Sequence, residues 1–252
     1  MNLRIKLILI IMAVAILPMA FVETLGYYNA KTALERLQMG ALKSITEFKA
    51  KVIEDFIVDQ KNHVRIAQLR PNIKKYASIL AGFSGDVSNP LHATLVDELD
   101  RTLKMYQPVY NYINVMLANP HGNIVYELNR SSASGTIKNS LPGLWEKAFE
   151  EGEKDVYVSD IFLNKTGADQ YSVLIAAPVS NIEEIYLGVI VFEIDMMSIF
   201  KRIQNLTGMG RTGETIIARQ EKDAVLFLNP LRHDPRAALV RKAYPGESQT
   251  IP

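Results

Sequence analysis

The chain has 252 residues, 48% of them hydrophobic, and a formal net charge of +1. That length suffices for one or two domains with a core of their own, and the charge balance speaks against nucleic-acid binding, which calls for a basic stripe. It contains no cysteine, which excludes disulfides, thiolate metal sites and a cysteine nucleophile but assigns no compartment.

The chain opens on a run, LILIIMAVAILPMAFV from Leu7 to Val22, free of charged residues. With Ile5 and the stretch to Leu25 it reaches about 20 residues, the length that crosses a hydrocarbon core. Arg4 and Lys6 precede it and Glu23 follows. The positive-inside rule then puts the N-terminus in the cytoplasm and everything after the run outside. The alternative is a cleaved signal peptide; the apolar run is long for one, and Pro18-Met19-Ala20 is a poor small-x-small cleavage site. The expectation is a transmembrane anchor over residues 1–26.

An amphipathic pattern follows. Leu34, Leu37, Ala41, Ile45, Phe48, Val52 and Phe56 recur at spacings of three and four, so one helix continues to Leu69, where Arg70-Pro71 interrupts it. That stripe reads either as core packing or as a dimer seam. A second helix is expected over Ile73–Gly82 and a third over Leu91–Tyr106, ending near Pro108.

The period then changes to two. Ile113–Ala118 and Ile124–Leu128 read as a hairpin around Asn119-Pro120-His121-Gly122-Asn123. Asn129–Asn139 is a polar loop, and Leu144–Glu151 a short helix. Strands are expected at Val156–Phe162, Tyr171–Val179 and Tyr186–Ile194, with a helix at Met196–Leu206. Beyond the loop Gly208–Gly213, Thr215–Arg219 and Val225–Leu228 suggest a further hairpin and Pro235–Lys242 a helix. Five mostly antiparallel strands with helices on one side make an α+β fold. The part after residue 206 is short for a closed core, so the chain is expected to stop inside a second domain.

Gly208-Met-Gly210-Arg-Thr-Gly213 is a literal G-x-G-x-x-G. Dinucleotide binding needs that loop between a strand and a helix N-terminus. Here it follows a helix and precedes a strand, so the glycines serve a helix end and a turn. His63, His92, His121 and His233 are scattered, with no metal-ligand spacing. No catalytic constellation is visible and no cofactor is implied.

This order of elements, with Leu206–Thr215, Leu226–Pro235, Ala177-Pro178-Val179 and Gly188–Val191, resembles the double Cache family of PAS-like sensor regions. The resemblance covers about residues 5–245. It implies a membrane-distal sensor domain over residues 27–206 and the start of a membrane-proximal one over residues 207–252. It also implies a small extracellular ligand and a homodimer in the plasma (inner) membrane. The run from Leu206 is similar to the start of the proximal domain in many sensor histidine kinases. A histidine kinase is therefore the expected output, with a methyl-accepting chemoreceptor, a cyclic-dinucleotide enzyme or a stand-alone anchored binding protein as alternatives.

The same resemblance puts the ligand between the inner face of the distal sheet and the loop and short helix that cover it. Strand alternation nominates Asn114, Met116, Tyr126, Trp145, Tyr157, Phe162, Tyr171 and Val173 as inward positions. Tyr110, with Tyr106 and Tyr112, contributes from the helix end. Each aromatic reads either as a pocket wall with a hydrogen-bonding tip or as plain core. Arg130 and Asp160, near strand ends, pair with a charged ligand or sit solvated in loops. The amino-acid-binding branch of the family carries Arg-x-Trp and Tyr-x-Asp elements. Here Gly143-Leu-Trp145 and Phe162-Leu-Asn164 stand in their places, and Glu193 in that of a strand-end aspartate. The ligand class is thus left open.

Overall fold

The computed structural model describes residues 3–82, 90–129, 143–164, 170–205, 207, 209 and 213–246. The chain divides into two compact units, Met1–Lys51 with Leu206–Gly213, and Val52–Asn205 with Glu214–Pro252.

One helix, α1 (Leu3–Leu69), passes through both. In the first unit its described apolar side chains are largely exposed, among them Leu17, Phe21, Leu37 and Phe48. Several of its contacts are local. Lys31–Glu35 and Lys43–Glu47 form i,i+4 ion pairs at 3.9 Å, and Thr24, Thr32, Ser44 and Thr46 donate hydroxyl hydrogens to carbonyls one turn back. Lys49 Nζ lies 3.1 Å from the Met209 sulfur. Among the described residues no helix is long and apolar enough to cross a membrane. The side chains of residues 8–10 and 13, inside the expected anchor, lie outside the described residues.

In the second unit α1 ends where the sequence predicts. Arg70 is extended (φ −64°, ψ 132°), as a residue before proline must be, and Pro71 opens α2 (Pro71–Ala81) at the position where a missing N–H costs nothing. The third helix, α3 (Pro90–Tyr110), continues one turn further than predicted, through Pro108. Asn111, with φ 58°, turns the chain into the sheet.

The sheet consists of β1 (Tyr112–Ala118), β2 (Ile124–Glu127), β3 (Tyr157–Val158), β4 (Phe162–Asn164), β5 (Gln170–Ser180) and β6 (Tyr186–Asp195). Its order is β2-β1-β6-β5-β3, with β4 also on β5, and every pairing is antiparallel. The single strand predicted over Val156–Phe162 is two. Ser159 interrupts it: its amide donates to Leu174 O, and its hydroxyl accepts from Leu174 N and donates to Asp160 O.

Both sheet faces are covered. The short helix after the second polar turn is α4 (Leu144–Gly152), and the one after β6 is α5 (Met197–Ile203). Val52, Phe56 and Val64 of α1, Ile73, Tyr76 and Leu80 of α2, Leu95, Leu99 and Leu103 of α3, and Ile199 and Phe200 of α5 pack on one face. That face carries Tyr112, Val115, Leu117, Val173, Ile175, Ile190, Phe192 and Ile194. The other face, with Met116, Leu174, Ala176, Val189 and Val191, takes α4 through Ala148, Trp145 and Phe149. The helices therefore lie on two sides of the sheet rather than one. The fold is α+β, a long N-terminal helix and two more packed on an antiparallel sheet.

The chain closes with a second sheet of β7 (Ala218–Gln220), β8 (Val225–Phe227) and β9 (Lys242–Ala243). The helix predicted at Pro235–Lys242 is not formed. Those residues make turns that lead into β9 and lay Ala237 against Phe227 and Leu231. Asn229, fully buried, ties this sheet's entry together by donating to Thr215 O and Pro230 O, both at 3.0 Å, and accepting from Ile217 N at 2.6 Å.

Gly188 is the tightest point of the sheet. Its φ is 130°, and a Cβ there would lie 1.9 Å from Ala118 O. Gly188→Ala should destabilise the fold by about 3 kcal/mol or more, since left-handed strain alone costs roughly 1–3 kcal/mol. Thermal unfolding checks this, and an unchanged midpoint would show that β1 and β6 do not approach this closely.

Candidate functional site

Antiparallel register decides which side chains share a face. Asn114 faces Glu193 across β1 and β6, Glu193 faces Leu174 across β6 and β5, and Met116 pairs with Glu127 of β2. Asn114, Met116, Glu127, Ser172, Leu174 and Glu193 thus line the α4 side of the sheet. Trp145, Tyr157 and Phe162 border the same side.

Its polar centre lies on strands that are otherwise apolar. Asn114 Nδ2 donates to Glu127 Oε1 at 2.9 Å, and its Oδ1 accepts from the amides of Val115 and Asn129 at 2.9 and 3.2 Å. Asn164 Nδ2 donates to Glu193 Oε1 at 2.6 Å. Glu193 is 2% exposed and Glu127 9%. Neither carboxylate has a Lys, Arg or His partner among the described residues. Burial pushes the Glu193 carboxyl above its ordinary range and the neighbouring Glu127 adds to the rise, while the Asn164 amide and the Ser172 hydroxyl oppose it.

Of the nominated residues, the structure brings Asn114, Met116, Trp145, Tyr157 and Phe162 to this face. Tyr126, Tyr171, Val173 and Tyr110 lie on the opposite, helix-covered face. Tyr126 pairs with Leu117 rather than with Met116, and its hydroxyl donates to Asp100 at 2.7 Å. Tyr171 stands edge-on to Phe200, 6.1 Å between rings. Tyr110 stacks 4.4 Å from His63 and 5.8 Å from Tyr106. Asp160 is in an exposed turn, where it pairs with Arg219 at 3.0 Å. With side chains 66% and 42% exposed, that pair contributes little. Arg130 lies outside the described residues, as do residues 131–142 and 165–169 and most of the Gly208–Gly213 loop.

Two centres of the site, Glu127 and Glu193, were not among the nominated pocket residues. Their signal is present in the sequence: each is a carboxylate in a strand otherwise built for burial, IVYE and YLGVIVFEID, where Asp195 closes the second strand. An acid at such a position is either partnered or functional. Among the described residues no three His, Asp or Glu converge as a metal site.

No protein-family model matches the chain, and no curated protein does. Similar solved structures exist. The ligand-binding domain of the Pseudomonas aeruginosa chemoreceptor PctC, in complex with GABA, has a TM-score of 0.42 at 17% identity, over 66% of this chain and 67% of that one. That of P. aeruginosa PctB with L-Arg has a TM-score of 0.45 at 14% identity, over 79% and 72%. That of Pseudomonas fluorescens CtaA with L-serine has a TM-score of 0.44 at 12% identity, over 66% and 63%. The chain thus spans about two thirds of the length of these structures.

The raised Glu193 carboxyl makes a stability prediction whose sign is fixed. Its protonated form is favoured by folding, so its contribution is present below the unfolded carboxyl value and is lost as pH rises through the folded one. Glu193→Gln keeps an acceptor for Asn164 and removes the charge. The variant should unfold at a higher temperature than the parent at pH 7.5. The gain is about 1.4 kcal/mol for each tenfold by which folding tightens the hold on the Glu193 proton, and it should close toward pH 4. Melting curves across that range test it; a variant less stable at pH 7.5 would mean that the charge is held by a partner.

Proposed function

We propose that this chain is the extracytoplasmic input region of a membrane receptor, and that the α4 face of its sheet binds a small molecule carrying a protonated amine. The carrying observation is the pair of buried carboxylates, Glu127 and Glu193, with Asn114 set between them and without a cationic partner among the described residues. Two acids desolvated side by side are unfavourable alone, and a ligand ammonium compensates both. Trp145, Tyr157 and Phe162 supply the apolar walls such a site needs to exclude water. This supports an amine or amino acid over a simple carboxylate, although the Arg-x-Trp element of the amino-acid-binding branch is missing.

The anchor and the dimer belong to the same reading. Between Leu3 and Leu25 the described apolar side chains that stand exposed include Leu7, Ile11, Val14, Leu17, Met19 and Phe21. A contiguous apolar surface of that kind is stable only against lipid or protein, which supports a single N-terminal span with the sensor outside the plasma membrane. Leu34, Leu37 and Phe48 are exposed too, whereas Val52 and Phe56 of the same stripe pack on the sheet. The exposed part supports a seam with a second copy. The histidine-kinase output expected from the Leu206–Thr215 run finds no particular support in this site, which serves the input region of a chemoreceptor equally well.

Thermal-shift titration of the purified chain tests the ligand class. An amine or amino acid at about 100 times its dissociation constant should stabilise the fold by about 2.7 kcal/mol. Glu193→Gln and Glu127→Gln should each weaken it at least tenfold. Affinity should also fall as pH drops and Glu193 takes up its proton. Stabilisation by carboxylates lacking an amine, with no response to amines, would overturn the assignment.

A further inference from the structure

The helix-covered face of the sheet carries a second feature that the α4-side site does not use. A cleft opens between the last turns of α1, the end of α3 and strands β1 and β6. Its free interior is about 30 Å³, two to three times the roughly 10–15 Å³ that one water needs. Val64, Leu103, Phe192 and Ile194 form its apolar walls, and Tyr106, Tyr110 and Tyr112 its aromatic ones.

Three polar groups of α1 and its end converge on it. Gln60 and His63 stand one turn apart on the same helix face, and Arg70 follows at the break before α2. Gln60 is 6% exposed. Its Oε1 and the His63 Nδ1 are buried, and neither has a hydrogen-bond partner among the described residues. Buried polar atoms left unpaired are costly, which marks the cleft as a place for a hydrogen-bonding occupant. The Arg70 guanidinium lies 4.3 Å over the Tyr106 ring and makes no ion pair among the described residues. The Tyr112 hydroxyl is already committed, donating to Leu103 O.

We propose that this cleft binds a small monocarboxylate of acetate size, its carboxylate on Arg70, Gln60 and His63 and its methyl group against Val64 and Leu103. The charge selects the sign: Arg70 is a fixed cation with no acid paired to it among the described residues. Gln60 presents its NH2 to an anion by rotating its amide, and neutral His63 presents N–H at whichever ring nitrogen faces the ligand. Burial holds the His63 ring below its ordinary value, against the pull of Asp59. The ring is therefore neutral at pH 7 and binding does not rest on its charge. The planar guanidinium, fixed against Tyr106, is preorganised for a two-oxygen contact. The small interior suits the methyl group of acetate, and the longer chain of butyrate has to leave it toward the cleft's opening.

The test is a titration of the purified full chain with sodium acetate, against sodium chloride at equal ionic strength. Acetate should raise the unfolding temperature where chloride does not, and butyrate should be at least tenfold weaker. In the bound state the acetate methyl protons should show NOEs to the Val64 and Leu103 methyl groups. Arg70→Gln should cost at least tenfold in affinity, and Ala67→Leu, which fills the cleft without touching a charge, should abolish binding. An equal response to chloride, an absence of NOEs to those methyl groups, or unchanged affinity in Ala67→Leu would each overturn the proposal and leave the cleft as a water site.

Discussion

Strand β6 is buried on both sides, and what its alternation delivers to each side organises the rest of the molecule. Phe192 and Ile194 go to the helices, while Glu193 goes to the α4 face. A carboxylate in the middle of a sheet has no water to fall back on. It holds its place through Asn164, and its neighbour across the strand pair, Asn114, reaches on to Glu127. Because β5 and β6 pair along nearly their whole length, Glu193 cannot swing out to solvent without breaking the ladder. The polar centre is therefore fixed by backbone, and its chemistry is set before any ligand arrives.

How much of this is legible in the sequence follows from where the two periods speak clearly. The Arg70-Pro71 break, the Asn119–Asn123 turn and the runs that become β5 and β6 are legible because proline, glycine and apolar runs act locally. The relative faces of the strands are not. β1, β5 and β6 are apolar on both sides, so alternation within one strand gives no sign of which parity meets which in its neighbour. That is why Tyr126 and Tyr171 read as companions of Met116 and Asn114 and in fact lie across the sheet. A bulge between Leu117 and Ala118 adds a further offset. The Ser159 interruption and the absence of a helix at Pro235–Lys242 depend on partners distant in sequence, Leu174 and Phe227, and so escape a local reading.

The site was half legible for a related reason. Aromatic residues draw attention as pocket walls, yet most of those near this sheet are core. The more telling residues are acids where acids do not belong. Glu193 is visible in the sequence through its place in a resemblance, but the physical argument for it is independent. A buried charge inside YLGVIVFEID, ahead of the strand's closing Asp195, must be offset by pairing, protonation or function, and the raised Glu193 carboxyl with no cation beside it among the described residues points to the last two.

The sheet therefore presents two polar constellations back to back, Glu193 with Glu127 on one face and Arg70 with Gln60 and His63 near the other. Consecutive residues of β6 reach both. Phe192 walls the helix-side cleft, and Glu193 centres the α4 side. If the two proposed occupants are coupled through this strand, the coupling has to be reciprocal. The helix-side cleft has α1 as one wall, the element that continues toward the N-terminus. A ligand in the proposed helix-side site would touch that helix directly. On the proposed reading as a receptor input region, either ligand would shift a two-state equilibrium only by the difference in its affinity for the two states. Arg70, on the helix side, sits at the break between α1 and α2, its φ and ψ restricted by the proline that follows.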